Sequence, residues 1–261
     1  MSTTSHRLYH RHEHDPRAML ETYFSDHPPD MAFKDDALTV PMKKLHAILK
    51  QGHIGGKLLM DFSAGSHIHH LFFTCKYFQE IILMRTNEPC IMEIMKWLND
   101  HSGAFRWEHA TQHAIEIDGS GDESEANELK LKSTISKVMK FDTETESLAD
   151  LTGVQTADCI MTTWFMDMIC QNQDDYTRNM KKMLTLLKPG GYLFLIGATN
   201  GSYYTLGDQK YHIFKYDENL VKNTLVAEGM TILQCEDIPR KSQSQLTDFQ
   251  GVLFVTACKQ K

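Results

Sequence analysis

The sequence lacks any apolar run close to the roughly 18 residues that a membrane-spanning helix needs, so we expect no membrane partner. Its first residues, "MSTTSHRLYHRHEHDPR", have no apolar core of the kind that signal peptides carry. The six cysteines form no CxxC pair, which favours reduced thiols in a cytoplasmic protein. A formal net charge of -7 gives no general basis for nucleic-acid binding.

Glycine is scarce where it would be most informative. The stretch "LLMDFSAGSHIHHLFF" (residues 58–73) reads as a buried strand that runs through small residues into a helix, yet it carries only Gly65. Nucleotide-binding turns of this kind usually carry two or three glycines. Small residues still let the backbone approach a ligand, but this stretch alone is equally consistent with a tight turn that binds nothing.

Short apolar stretches alternate with amphipathic ones along the rest of the chain. The predicted strands are "GKLLMDF", "EIILMR", "ADCIMTTWFMD", "YLFLIGA", "MTILQCEDI" and "GVLFVTACK". Helices are predicted between them, including "HIHHLFFTCKYF" and "NELKLKSTISKVMKF". The alternation predicts an α/β fold with a largely parallel sheet covered by helices on both faces. With no linker-like segment, residues 1–261 are expected to form one domain, with a helical cap over 1–55 and the core over 56–261.

Ligands bind such sheets beyond the carboxyl ends of the strands, so the polar residues at those ends are the candidate site. They are Asp61, Ser63, Arg85, Asp142, Thr163 and Asp167. Trp164 lies among them, and a core position explains it equally well.

The string "LLKPGGYLFLIG" is more specific, because a helix, a Pro-Gly-Gly turn and an apolar strand recur in class I methyltransferases that use S-adenosylmethionine. The whole chain resembles the small-molecule family of nicotinamide, phenylethanolamine and indolethylamine N-methyltransferases, most closely its nicotinamide and indolethylamine branch. The resemblance rests on strings that occur in the family's order, among them "DPRAMLETYF", "FQEIIL", "MKWLND", "ADCIMTTWFMD", "LLKPGGYLFLIG" and "GSYYTLGDQKY".

The resemblance implies a Rossmann-like fold with a seven-stranded, mostly parallel sheet, an antiparallel strand near the C-terminal edge and an N-terminal helical lid. It implies S-adenosylmethionine as cofactor, a small-molecule acceptor and a monomer. The implied cofactor contacts are Asp61, Ser63, Ala64, Gly65, His69, Arg85, Asp142, Thr143 and Thr163. The implied acceptor pocket comprises Met19, Phe24, Trp164, Gly197 and Tyr204. The implied catalytic residues are Asp167, which would orient the acceptor, and Tyr23 and Tyr203, which would wall the pocket.

Several of these positions depart from the family's pattern. Arg85 stands where the family has the acid that binds the ribose, and Gly197 stands where the nicotinamide branch has an acid near its acceptor. Further replacements occur at Met19, Phe24, Ser63, His69 and Cys90. A hydrogen bond to a charged group contributes roughly 1.5–3 kcal/mol. Losing the ribose acid therefore predicts cofactor binding that is weaker by about 10- to 100-fold.

The histidines could in principle hold a metal, because His67, His69 and His70 lie within four residues. A zinc site needs three or four converging ligands, and no Cys/His pair stands nearby in the sequence. We therefore expect solvated or hydrogen-bonded histidines and no metal.

Three functional hypotheses remain open. The leading one is S-adenosylmethionine-dependent methyl transfer to a nitrogen of a small amine, indole or pyridine-type acceptor, which depends mainly on positioning. The alternative is a catalytically inactive family member that acts as a small-molecule-binding or structural protein. The third is recognition of a phosphorylated nucleotide by Arg85.

Overall fold

A computed structural model describes residues 6–12, 14–28, 31–119, 124–144 and 155–261. Its strands are β1 (Gly56–Ser63), β2 (Phe78–Arg85), β3 (Ile135–Lys140), β4 (Ala157–Thr163), β5 (Leu187–Thr199), β6 (Tyr203–Leu206), β7 (Gln209–His212), β8 (Met230–Pro239) and β9 (Gly251–Lys259). Its helices are α1 (Pro16–Tyr23), α2 (Met31–Lys34), α3 (Val40–Leu49), α4 (Leu71–Thr74), α5 (Glu88–Leu98), α6 (Glu108–Asp118), α7 (Ser124–Thr134), α8 (Phe165–Ile169), α9 (Gln173–Leu184) and α10 (Glu218–Ala227). A π-helical turn, Asp35–Thr39, joins α2 to α3. Within these ranges, no helix is long and apolar enough to cross a membrane.

Seven of the strands form one sheet in the order β3-β2-β1-β4-β5-β9-β8. The first five pair in parallel, whereas β9 is antiparallel to both β5 and β8. The predicted α/β fold with a mostly parallel seven-stranded sheet and an antiparallel strand near its C-terminal edge is thus confirmed. The strands at its centre are nearly continuous apolar runs because helices cover a parallel sheet on both faces.

The N-terminal helices are part of the same hydrophobic core as the sheet, which includes residues from Tyr9 to Ala257. Asp15 caps α1 by accepting from the main-chain N–H groups of Arg17 and Ala18, and Pro16 occupies the first helical position. Met19, Leu20 and Tyr23 form its buried face.

Local structure differs from the sequence-based prediction in several places. The strand predicted over "ADCIMTTWFMD" ends at Thr163, and its last three residues begin α8. The helix predicted over "NELKLKSTISKVMKF" ends at Thr134, and its second half is β3. The helix predicted over "HIHHLFFTCKYF" shrinks to α4, so His67, His69 and His70 lie in the preceding turn. The Pro-Gly-Gly turn lies inside the extended β5, and the β6–β7 hairpin was not predicted.

Candidate active site

The sheet brings the carboxyl ends of its central strands together. Ser63 at the end of β1 is in register with Thr163 at the end of β4, and Thr163 is in register with Ile196 of β5. On the other side of β1, Arg85 ends β2 and pairs with Lys140 of β3. The polar residues predicted from separate strand ends therefore lie along one edge of the sheet.

Asp61 is the centre of a buried polar network at this edge. Its Oδ2 accepts from Arg85 Nη2 at 2.9 Å, and its Oδ1 accepts from His70 Nε2 and from Ser63 Oγ, both at 2.7 Å. Burial alone would raise the pKa of Asp61, but the charges and hydrogen bonds of its partners lower it to about 2. Asp61 is therefore an ionised carboxylate that already accepts three hydrogen bonds from protein side chains.

Arg85 is fully buried and is not a free cation facing a ligand. Its Nη1 donates to the main-chain oxygens of Asp61 and Met84, and its Nη2 also donates to the His67 carbonyl. The guanidinium thus holds the end of β1 and the following turn together. The sequence analysis placed both Arg85 and Asp61 at this edge but did not predict the ion pair between them.

The turn after β1 is closed by residues from the N-terminal segment. Gly65 adopts a left-handed backbone with a φ of 64°, and its N–H donates to the Tyr9 hydroxyl oxygen at 2.7 Å. A Cβ on Gly65 would lie 2.7 Å from Met19 Sδ, so Met19 packs directly on the turn. Ala64 is buried and donates its N–H to the Thr163 carbonyl. Tyr9 is a contact that the sequence analysis missed.

His69 lies beside His67 and His70 under the ring of Phe24. Phe24 stacks on His67 at a centroid distance of 4.4 Å and on His69 at 5.2 Å. Burial lowers the pKa of His67 and His69 well below its usual range, and the neighbouring histidines lower it further. The two imidazoles are therefore neutral at physiological pH.

Asp142 and Thr143 follow β3 beside Arg85, since Phe141 N–H donates to the Arg85 carbonyl at 2.7 Å. The Asp142 carboxylate accepts from the Glu144 N–H, and its main-chain oxygen accepts from Lys182 Nζ. Both predicted cofactor contacts thus lie at the same edge as Arg85.

A small apolar cavity of about 50 Å³ lies at the ends of β4 and β5 under the N-terminal helices. Six residues predicted for the site line it: Met19, Tyr23, Phe24, Trp164, Asp167 and Tyr204. Trp164 has a left-handed backbone with a φ of 54° between β4 and α8. Lining residues that the sequence analysis missed include Phe33, Met168, Ile213 and Phe249.

Of the two tyrosines predicted to wall the pocket, Tyr23 lines the cavity and Tyr203 does not. Tyr203 does not line this cavity; its ring packs under Lys210 Nζ at 3.7 Å and faces a separate groove. Tyr23 does line the cavity, and its hydroxyl donates to the Thr205 carbonyl at 2.5 Å. The structure therefore brings Tyr204, and not Tyr203, next to Asp167 and Tyr23.

Asp167 is buried at the cavity wall. Its Oδ1 accepts from the Tyr216 hydroxyl at 2.6 Å, and its Oδ2 accepts from the Ala198 N–H at 2.9 Å. Burial raises the pKa of Asp167 to about 6, although both hydrogen bonds oppose the shift. A Cβ on Gly197 would lie 2.1 Å from the Tyr216 hydroxyl oxygen, so Tyr216 fills the space of any side chain at 197. Asp167 thus places a carboxyl group at the cavity wall, and Tyr216 leaves no space for a second one at position 197.

The family model for the NNMT/PNMT/TEMT family matches residues 3–260. The chain is 29% identical over 248 residues to indolethylamine N-methyltransferase of Mus musculus, covering 95% of this chain and 93% of that protein. It is 28% identical over 245 residues to nicotinamide N-methyltransferase of Homo sapiens, covering 94% and 92%. It is 27% identical over 249 residues to human phenylethanolamine N-methyltransferase, covering 94% and 88%.

Solved structures show the same fold at low sequence identity. Magnesium protoporphyrin IX methyltransferase (ChlM) from Synechocystis PCC 6803 with bound SAH aligns with a TM-score of 0.53 at 13% identity, covering 93% of each chain. The N-methyltransferase NodS from Bradyrhizobium japonicum WM9 in complex with SAH aligns with a TM-score of 0.51 at 10% identity, covering 95% and 98%.

Proposed function

Since the chain belongs to the NNMT/PNMT/TEMT family, we propose that it is an enzyme that transfers a methyl group from S-adenosylmethionine to a nitrogen of a small acceptor. The acceptor class is a small amine, indole or pyridine-type molecule, as the names of its relatives indicate for those proteins. The observation that carries the proposal is the family match over nearly the whole chain.

The acceptor side of the site supports this function. The cavity has aromatic walls that suit a flat ring, and Asp167 is its buried carboxyl group. With a pKa of about 6, Asp167 is mostly ionised at neutral pH and can accept a hydrogen bond from an acceptor N–H. A cavity that admits benzene measures about 150 Å³. The present 50 Å³ must therefore widen before an aromatic acceptor can enter.

The donor side does not fit S-adenosylmethionine as it is arranged. Arg85 occupies the position of the ribose-binding acid, Asp61 already accepts hydrogen bonds from Arg85, His70 and Ser63, and the Gly65 N–H donates to Tyr9. Donor binding would require Tyr9 to leave Gly65 and would offer the ribose hydroxyls no acid at position 85.

This closed network favours a second candidate function, a small-molecule-binding protein that keeps the acceptor cavity without catalysis. The third hypothesis, phosphate recognition by Arg85, has no support here because the guanidinium is buried and paired with Asp61.

Calorimetric titration with S-adenosylmethionine, followed by mass detection of methylated amines, indoles and pyridines, tests the proposal. We expect weak donor binding and transfer to an aromatic nitrogen acceptor, with Asp167→Asn slowing transfer. Glu21→Gln, on the exposed side of α1, is the control variant. It should change neither the affinity for S-adenosylmethionine nor the rate of methyl transfer. If no donor binds and no acceptor is methylated, while aromatic amines still raise the melting temperature, the second candidate is correct.

We also propose that the protein works in the cytoplasm as a monomer. The cytoplasmic location is supported by the six free cysteines, which form no disulfide in the described structure. Light scattering of the purified chain tests whether it is a monomer.

A further inference from the structure

The sequence favoured solvated or hydrogen-bonded histidines without a metal, but the structure buries all three rings. We propose that His67, His69 and His70 form a site for a divalent transition-metal ion, with Zn²⁺ as the preferred occupant. All three are buried, and one ring nitrogen from each lies within 4.8 Å of those of the other two. Imidazole nitrogen is a favoured ligand of zinc, and three histidines with an open fourth position are an established zinc arrangement. Zn–N bonds of 2.0–2.1 Å place tetrahedral ligands about 3.4 Å apart, so each nitrogen has to move inward by under about 1 Å.

The hydrogen bonds around the cluster fix which ring nitrogen is protonated. His70 Nε2 faces the Asp61 carboxylate at 2.7 Å, so it carries a proton and donates it. Thr163 donates its hydroxyl proton to Ser63 Oγ, and Ser63 donates its own to Asp61. The Thr163 oxygen can therefore only accept from His67 Nε2, which lies 2.7 Å away.

In the neutral forms of His67 and His70, which are the forms that bind a metal, the lone pair is therefore on Nδ1. Nδ1 of His69 and of His70 is buried without a hydrogen-bond partner among the described residues, and so is Nδ1 of His67. The Ala64 carbonyl accepts a hydrogen bond from the protonated form of His67, so a metal ion has to displace that proton to bind His67. Buried polar atoms are rarely left unpaired, and a metal ion is a partner that a lone pair accepts.

The contacts of Asp61 and Thr163 match those that surround metal-bound histidines. A ligating histidine usually donates its second ring N–H to a carboxylate or another acceptor, which fixes the ring and makes it a better ligand. Asp61 provides this for His70, and Thr163 provides it for His67. Phe24 covers the rings and excludes water from that side.

A groove connects the cluster to solvent. His69 lines this groove, which has a volume of about 300 Å³. Four further potential ligands of a passing cation also line it: Asp26, His109, His113 and Glu116. His109 and His113 lie one turn apart on α6. An ion can thus reach His69 from outside without disturbing the sheet.

The charges around the cluster determine whether the fourth ligand of the metal is neutral or anionic. Arg85 Nη2 donates to the His67 carbonyl at 3.2 Å, so a guanidinium lies close to the cluster and opposes a dication. Asp61 compensates for Arg85 but leaves the metal charge unbalanced. The fourth ligand is therefore an anion, either hydroxide or a small anion that enters from the groove.

The test is a competition titration of the full chain with Zn²⁺, repeated with Co²⁺, whose visible absorption is intense when four-coordinate. We expect one tight equivalent and the four-coordinate spectrum in the wild type. His69→Ala should lower the Zn²⁺ affinity by about 100-fold or more and abolish the four-coordinate Co²⁺ spectrum. Loss of a hydrogen bond to a ligating histidine already lowers metal affinity by about 10- to 100-fold, and loss of a ligand should cost more. His46→Ala is the matched control, since His46 is also buried and bonded to a carboxylate, that of Asp118.

Thr163→Val keeps all three ligands but removes the acceptor of His67, so it should weaken binding by about 10- to 100-fold. This variant keeps the test decisive even if His69→Ala does not fold. Equal Zn²⁺ affinity in the wild type and in a folded His69→Ala or Thr163→Val variant would overturn the proposal, as would a wild type without four-coordinate Co²⁺. Because no methyl donor is added, failure here leaves the methyl-transfer test unaffected.

Discussion

Replacing Arg85 with aspartate is the sharpest test of the buried network. The substitution removes the guanidinium that pairs with Asp61 at 2.9 Å and places a second carboxyl group beside it, where both side chains are completely buried. Breaking a buried pair by removing one partner costs about 3–5 kcal/mol, because the other charge is left uncompensated. For a chain of this size, 1 kcal/mol corresponds to roughly 2–4 °C, so the melting temperature should fall by about 6–20 °C at pH 7.

The pH dependence of the unfolding free energy gives an independent check of the Asp61–Arg85 pair. In the wild type the pKa of Asp61 is lowered to about 2, so its contribution to stability is full above pH 4 and lost only as the pH falls towards 2. In Arg85→Asp the two neighbouring carboxyls raise each other's pKa, so the variant loses stability as the pH rises. The stability difference between the two proteins should therefore be largest at pH 7 and shrink at pH 4.

Thermal unfolding by circular dichroism at both pH values measures this difference. Arg178→Asp is the matched control, because Arg178 makes a partly exposed pair with Asp175 at 2.7 Å. Such pairs contribute about 0–1 kcal/mol, so the control should melt within a few degrees of the wild type. If Arg85→Asp melts no lower than the control, or if its deficit does not change with pH, the assignment of Arg85 as the essential counter-ion of Asp61 is wrong.

Three further predictions concern the turn and the cavity. Tyr9→Phe leaves the buried Gly65 N–H without its acceptor and should cost about 1–3 kcal/mol in urea unfolding, while tightening S-adenosylmethionine binding in calorimetry. Gly197→Ala should cost about 1–3 kcal/mol by overpacking against Tyr216, and adding Tyr216→Phe should recover part of this in the same assay. Binding of a cationic aromatic amine should strengthen as the pH rises through about 6, where Asp167 ionises, and Asp167→Asn should abolish that inflection in pH-resolved titrations.

The sequence predicted the sheet well where a strand is buried on both faces and poorly where it is not. The central strands β1, β4 and β5 are continuous apolar runs, and each was located. The edge strand β3, "ISKVMK", is half exposed and follows α7 without a break, so its composition resembles a continuing helix. The β6–β7 hairpin turns at Gly207 and Asp208 with polar residues that are also common in loops.

The site could be predicted only as far as local strings determine it. Asp61, Thr163 and Asp167 follow from their places at strand ends, and the structure gathers them at one edge. Their partners come from distant parts of the chain: Tyr9 reaches Gly65, and Tyr216 reaches Asp167. Such contacts depend on the path of the backbone between strands, which local periodicity does not specify. The roles of these residues in binding and catalysis stay predictions.

The hydrogen bonds between the N-terminal part and the β6–β7 hairpin have a kinetic consequence. Arg7 exchanges main-chain hydrogen bonds with Lys210 and His212, and the Tyr23 hydroxyl bonds to Thr205. The cover over the cavity is thus connected to the hairpin at both ends, so the two must open together. Opening then precedes entry for every occupant, and the observed association rate should level off at high concentration to one value shared by unrelated molecules. Residence time, likewise, would reflect how often this cover opens more than how well each molecule fits.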